Sequence, residues 1–166
     1  MTEFNTVWFP LQYECNNRCN WCYAPSEIVS SKDKRFDDKR EKGFLDLISK
    51  LGVKRVILIG GEPSIYPHLE RIISRTNELG IRVSMVTNGR RLSDYFFVKR
   101  LREAGLSSLT VSIEGSSPEI HDAITGTRGS FYETLAGIDN SLKSGFPTCT
   151  ETTMCAENEL DLENIV

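Results

Sequence analysis

An α/β fold built on a parallel sheet is what this 166-residue sequence predicts, and three observations carry that reading. Glycine recurs where helix-like stretches end and apolar runs begin, at Gly52, Gly80, Gly105 and Gly145; a left-handed glycine is the common helix stop. The run Val56-Ile57-Leu58-Ile59 is apolar at consecutive positions, which predicts a strand buried on both faces under covering helices. Strand-like and helix-like stretches alternate throughout, the order that winds right-handed crossovers onto one sheet.

The elements follow in chain order. Thr6 to Tyr13 reads as the first strand, and about Asp37 to Lys50 as the first helix, with Phe44, Leu45, Leu47, Ile48 and Leu51 on its apolar side. Val53 to Ile59 is the second strand. About Pro67 to Leu79 is the second helix, with Leu69, Ile72, Ile73 and Leu79 as its apolar positions. Ile81 to Thr87 is a strand, about Ser93 to Ala104 a helix, and Leu106 to Ile113 a strand. Ser117-Pro118-Glu119 opens a short extra helix, with Ser as cap and Pro in the first turn. Ser130 to Lys143 is helical, Phe146 to Thr153 is the fifth strand, and Glu157 to Val166 reads as the start of one more helix. The glycine stops lie 28, 25 and 40 residues apart, so residues 115 to 130 are an insertion. A closed eight-unit barrel needs about 200 residues or more. The expectation is therefore one domain over 1–166, a partial (β/α) barrel of about five parallel strands, open or truncated at its C-terminal end. An open fifth strand is an exposed edge, so a partner chain or a missing segment is expected to cover it.

Composition narrows the function. The chain is 39% hydrophobic and 26% charged, as in ordinary globular domains. No apolar run approaches the roughly 20 residues of a membrane span. Met1-Thr2-Glu3-Phe4-Asn5 does not read as a signal peptide, so a cytoplasmic location is expected. A net charge of −3 argues against a nucleic-acid partner. The stretch from Ser31 to Arg40 is charged but mixed in sign, as in a solvated surface loop.

The chemistry is concentrated in four short motifs. Of five cysteines, Cys15, Cys19 and Cys22 fall within eight residues, spaced C-x3-C-x2-C. Soft thiolate ligands suit an iron–sulfur site. A structural zinc site wants four ligands, and His68 and His121 are distant in sequence; zinc completed by a remote ligand and a cluster of core thiols remain alternatives. Gly60-Gly61-Glu62-Pro63 follows the second strand. Glycine lets backbone approach a ligand, Pro63 stiffens the turn, and the carbonyls with the Glu62 carboxylate form an acceptor-rich patch suited to an ammonium group. Thr87-Asn88-Gly89 and Ser112-Ile113-Glu114-Gly115 close the third and fourth strands. In a parallel barrel all four motifs lie at the C-terminal rim, where sites are built. His68 is expected to cap or pack on the second helix, His121 to be a loop residue, and Cys149 and Cys155 to be buried thiols.

The cysteine spacing, with Trp21 just before Cys22, resembles the signature of the radical S-adenosylmethionine (SAM) superfamily. That resemblance implies that Cys15, Cys19 and Cys22 bind a [4Fe-4S] cluster whose fourth iron is chelated by SAM. It implies that Gly60, Gly61, Glu62 and Pro63 position the methionyl end, and that Thr87, Asn88, Ser112 and Glu114 line the rest of the SAM site. The segment from His121 to Phe131 is similar to a stretch in which an arginine meets the SAM carboxylate. Arg128 is the candidate here, three positions on from the usual place, and a solvated loop charge is the alternative. The activity implied is reductive cleavage of SAM to a 5′-deoxyadenosyl radical that abstracts hydrogen from a substrate. A flavodoxin or ferredoxin is implied as electron donor. The wording of the motifs is closest to the SPASM/twitch branch, without its C-terminal extension, which favours a peptide or small protein as substrate over a small molecule. The competing classes are a non-catalytic iron–sulfur module for electron transfer or sensing, and a zinc-binding α/β domain.

Overall fold

The computed structural model describes residues 5–22 and 38–165. Five strands form one all-parallel sheet in the order β1 (Thr6–Pro10), β2 (Arg55–Ile59), β3 (Arg82–Thr87), β4 (Ser108–Ser112) and β5 (Thr148–Glu151). Each strand lies beside its neighbour in sequence. That is the winding of a barrel segment, and it brings every strand's C-terminal end to one rim. Between the strands run α1 (Asp38–Lys50), α2 (Leu69–Glu78), α3 (Tyr95–Glu103), α4 (Pro118–Thr125) and α5 (Ser130–Lys143). The four glycine stops all adopt positive φ.

The core lies on one side of the sheet only. Val56, Leu58, Val83, Met85, Leu109 and Val111 are buried against Ile48, Leu69, Ile72, Ile73, Phe97, Val98 and Leu101 of the helices. This corrects the expectation for β2, because Ile57 and Ile59 are only half-buried. Their face is the concave side of a sheet that does not close on itself. In α1 the buried positions are Glu41 and Ile48, with Phe44 and Leu45 partly buried between them. Leu47 and Leu51, expected on the apolar side, are exposed, because Leu47 falls outside that i, i+3, i+4, i+7 stripe and Leu51 lies past the end of the helix, in the turn that follows. Glu41 is fully buried and pairs with Arg71 at 2.7 Å and Arg75 at 2.8 Å, tying α1 to α2. The mixed-sign stretch expected as a surface loop lies outside the described residues as far as position 37.

One cap and one helix expectation also change. Ser117 occupies the N-cap of α4 but its side chain makes no capping hydrogen bond. Residues 157–165 form turns and a single 3-10 turn over Leu162–Asn164 rather than an α-helix. Tertiary contacts hold this segment. Asp161 accepts from the Ser116 N–H and hydroxyl, and Asn158 Nδ2 donates to the Glu114 and Thr153 carbonyls, both at 3.0 Å. Among the described residues, no helix is long and apolar enough to cross a membrane.

Helix α5 packs closely on the 3-10 turn after β3 (Arg90–Ser93). A Cβ on Gly137 would lie 2.2 Å from the Gly89 carbonyl oxygen. Gly137→Ala is therefore expected to destabilise the protein by about 2–3 kcal/mol despite alanine's better helix propensity. Denaturant unfolding measures this, and a midpoint equal to wild type would contradict the packing.

Candidate cofactor site

A cavity of about 500 Å³ opens on the concave side at the C-terminal rim. Cys15, Cys19 and Cys22 line it together with Gly60, Gly61, Glu62, Thr87, Asn88, Ser112 and Glu114. The four motifs, far apart in sequence, thus meet on one cavity. Two expected members do not reach it. Pro63 is buried in the 3-10 turn that follows (Pro63–Ile65), and Arg128 is exposed between α4 and α5, outside the lining. Sequence reasoning missed Trp8, Asn17, Glu151, Thr152 and Thr153, which also line the cavity. Strand periodicity could have found Glu151, because it pairs with Ser112 in register and so shares its face. Their side chains meet, with the Ser112 hydroxyl 3.0 Å from Glu151 Oε1.

The cysteine loop is held from three sides. From the Gly60-Gly61-Glu62 turn, Gly61 N–H donates to the Gln12 carbonyl and Glu62 N–H to the Glu14 carbonyl, both at 2.8 Å, while Gln12 Nε2 returns to the Glu62 carbonyl at 2.9 Å. From the C-terminal end of α4, the Thr125 and Ile124 carbonyls accept from Arg18 N–H at 2.8 Å and Asn20 N–H at 3.0 Å. From the β3 turn, Asn88 Nδ2 donates to Asn16 Oδ1 at 2.7 Å. Gly60 and Gly61 line the cavity and also admit a close approach from within the chain. Added Cβ atoms would lie 2.2 Å from the Gln12 carbonyl oxygen and 2.4 Å from those of Tyr13 and Glu14. It is the chain's own loop that passes so near.

Burial pushes the Cys19 thiol up to about 12, with Cys15, Glu114 and Cys22 adding to the effect. Burial also raises Cys15, against the lowering effect of the Asn17 N–H. The metal-free Cys15 and Cys19 thiols therefore hold their protons at neutral pH, and a soft cation binding them as thiolates would displace those protons. Three sulfur donors on one cavity wall fit an iron–sulfur cluster in their chemistry. Among the described residues, no group of three His, Cys, Asp or Glu side chains is already closed around a metal-sized site. Cys149 is exposed and Cys155 half-buried, contrary to expectation, because β5 is an edge strand and the segment after it lies on the surface.

Glu62 accepts three hydrogen bonds from its neighbours. Its Oε1 accepts from Ser64 N–H at 2.9 Å and from the Thr87 hydroxyl at 2.6 Å, and its Oε2 accepts from Asn88 N–H at 2.7 Å. The carboxylate, expected as part of an open acceptor patch, is 1% exposed and stitches the second motif to the third. Glu114 is also buried; burial raises its carboxyl to about 7, with Glu151 adding and the Thr153 N–H, 3.0 Å away, opposing. His121 is a buried residue of α4 rather than a loop residue. Its Nδ1 accepts from Glu114 N–H at 3.0 Å, and burial lowers its pKa. His68 precedes α2 and packs edge-on to Tyr66, without a capping side-chain hydrogen bond.

The Glu114 shift has a sign. The folded carboxyl keeps a proton that the unfolded chain releases from its ordinary value of 4.5 upward, so stability falls as pH rises from there through about 7. The loss is about 3 kcal/mol. Glu114→Gln is expected to remove that slope in the metal-free protein, measured as melting temperature at pH 5 and pH 8. Equal declines in both proteins would refute it.

Residues 9–166 match the family described as the Radical SAM superfamily. The chain is 36% identical over 144 residues to the AdoMet-dependent heme synthase of Methanosarcina barkeri, covering 87% of this chain and 41% of that protein. It is 34% identical over 133 residues to the probable GTP 3′,8-cyclase of Thermococcus kodakarensis, covering 80% and 42%. The chain thus spans about two-fifths of the length of the curated relatives it matches. Among solved structures, native anSMEcpe with bound AdoMet superposes with a TM-score of 0.79 at 19% identity, covering 98% of this chain and 47% of that one. Streptococcus suis SuiB bound to the precursor peptide SuiA gives 0.68 at 19% identity, covering 98% and 36%. At such identities these two establish the shared fold.

Proposed function

The chain belongs to the radical SAM superfamily, and from that premise we propose that it is the cofactor-binding core of an enzyme that cleaves SAM reductively and abstracts hydrogen from a substrate. The observation that carries this reading is the convergence of the three cysteines with the Gly60-Gly61-Glu62, Thr87-Asn88 and Ser112/Glu114 turns on one cavity. Members of this family bind a [4Fe-4S] cluster and SAM, which supply one-electron cleavage of the sulfonium and a carbon radical.

The chain's own residues would work as follows. Cys15, Cys19 and Cys22 hold the cluster. Glu62 keeps one lone pair of Oε2 free for the methionyl ammonium after its three internal bonds. Thr87, Asn88, Ser112 and Glu114 supply polar groups along the remaining wall, and the buried Pro63 holds the turn shape from behind. Arg128 drops out of the SAM set because it is exposed and outside the cavity. Cys22 is exposed, which gives an electron donor of the flavodoxin or ferredoxin type a short approach.

For the substrate we propose a peptide or small protein. Among the described residues, the cavity lining contains Glu62, Glu114 and Glu151 but no Lys, Arg or His, and a phosphate- or carboxylate-rich small molecule calls for cations. A small-molecule substrate is the second reading, favoured by the higher identity to the heme synthase and the GTP cyclase. The test is anaerobic reconstitution of the full chain with iron and sulfide, then SAM and dithionite, with 5′-deoxyadenosine measured against the Cys15→Ala/Cys19→Ala/Cys22→Ala variant. Product only in the native protein is expected. A formed cluster without product would support the electron-transfer alternative, and zinc in place of iron would support the third. Stimulation of product by peptides over nucleotides and porphyrins decides the substrate class.

A further inference from the structure

We propose that Arg90 is a positioning residue for the cysteine loop, and that through it the Asn17 amide is held on the Cys15 sulfur. Arg90 follows the Thr87-Asn88-Gly89 turn and lies in the 3-10 turn on which α5 packs. Its side chain is 16% exposed and reaches in two directions. Nε donates to Glu133 Oε2 of α5 at 2.5 Å. Nη1 donates to the Asn16 carbonyl and, at 3.0 Å, to Asn17 Oδ1. Asn17 is buried, and its backbone N–H donates to Cys15 Sγ at 3.3 Å. Arg18 braces the same backbone with Nη1 at 3.0 Å from both the Cys15 and Asn17 carbonyls.

The path therefore runs from α5 through Glu133 and Arg90 to Asn16 and Asn17, and from Asn17 to a sulfur. A guanidinium suits this place better than an ammonium. Its planar fork fixes Nε on one partner while Nη1 engages the other two, where lysine offers a single flexible point charge. A hydrogen bond to a ligating sulfur stabilises the more negative, reduced state of an iron–sulfur centre and so raises its potential. Without Arg90 the Asn16 carbonyl and the Asn17 side chain lose a common donor, and the loop between Cys15 and Cys19 is freer to move. Arg90 touches neither the cavity nor the reacting atoms, so its action is indirect.

Arg90 can act in this way only if the three thiols hold the cluster proposed above. The test compares wild type, Arg90→Gln, Arg90→Lys and Glu133→Gln after anaerobic reconstitution. The readouts are iron release to a ferrous chelator, the midpoint potential of the cluster, and the melting temperature of each metal-free protein. Arg90→Gln is expected to release iron at least five-fold faster and to show a lower midpoint, with Arg90→Lys between it and wild type. Iron release and midpoint in Arg90→Gln equal to wild type would overturn the proposal. So would equal losses of melting temperature in Arg90→Gln and Glu133→Gln with unchanged cluster properties, since that is the behaviour of a plain tie between α5 and the turn after β3. If Arg90→Gln fails to fold, Asn17→Ala removes the acceptor while keeping the backbone amide, and wild-type iron retention there also overturns it. Wild-type protein that retains no iron would sink the cluster reading itself, a result distinct from loss in the variants alone.

Discussion

Gly61→Ala is expected to abolish iron loading and to lower the stability of the metal-free protein by about 3 kcal/mol or more. The new Cβ would sit 2.4 Å from the carbonyl oxygens of Tyr13 and Glu14 and 2.6 Å from the Tyr13 carbonyl carbon. All three are backbone atoms, so no side-chain rotation relieves the contact, and overpacking of this kind costs about 1–3 kcal/mol. Moving the loop away would break the Gly61-to-Gln12 and Glu62-to-Glu14 hydrogen bonds, about 1 kcal/mol each. Those bonds also fix where the chain enters Cys15. Iron and sulfide per chain after reconstitution, with a thermal melt, measure both effects. Gly43→Ala is the control: nothing lies within 4 Å of a Cβ there, and in α1 alanine is expected to stabilise by about 0.5–1 kcal/mol. Full iron content and an unchanged melt in Gly61→Ala would show that the loop does not need this approach.

The second large effect is expected at Glu62. If the carboxylate served SAM alone, its removal would leave the metal-free protein as stable as before. The structure says otherwise. Glu62→Ala strands the Ser64 and Asn88 N–H groups and the Thr87 hydroxyl, and unsatisfied buried donors cost about 1–3 kcal/mol each. A loss of about 3 kcal/mol is expected before any cofactor is added. Glu62→Gln keeps an acceptor for Ser64 and Thr87 but turns an amide N–H₂ toward the Asn88 N–H, so an intermediate loss is expected. Denaturant unfolding of the metal-free proteins distinguishes the two roles; stability of Glu62→Ala equal to wild type would assign the carboxylate to the ligand alone.

Much of this was legible beforehand, and the reason lies in the range of the interactions. Helix α5 occurs over the expected Ser130–Lys143, because an amphipathic pattern between a start signal and a glycine stop is information within one element. The rim site was legible because each motif ends a strand, and parallel winding sends all strand ends the same way. Leu47, Leu51 and Ile57 were misplaced because their hydrophobicity says nothing of which faces have a neighbour. Residues 157–165 were misread as an α-helix because their conformation follows Asp161 and Asn158 side chains bonded to Ser116, Glu114 and Thr153, not their own propensity.

By itself, then, the sequence determined the fold class and the order of strands and helices and singled out the three clustered thiols, since each is encoded by spacing over a few residues. Tertiary structure alone decided what those residues are fastened to. Glu62 reaches Thr87 across 25 positions, Asn158 reaches the Glu114 carbonyl across 44, and Arg90 reaches Asn16 across 74. Such partners have no periodic signature. They become neighbours only when adjacent parallel strands bring their ends to one rim, and there the buried polar groups must find one another because no water is left to satisfy them.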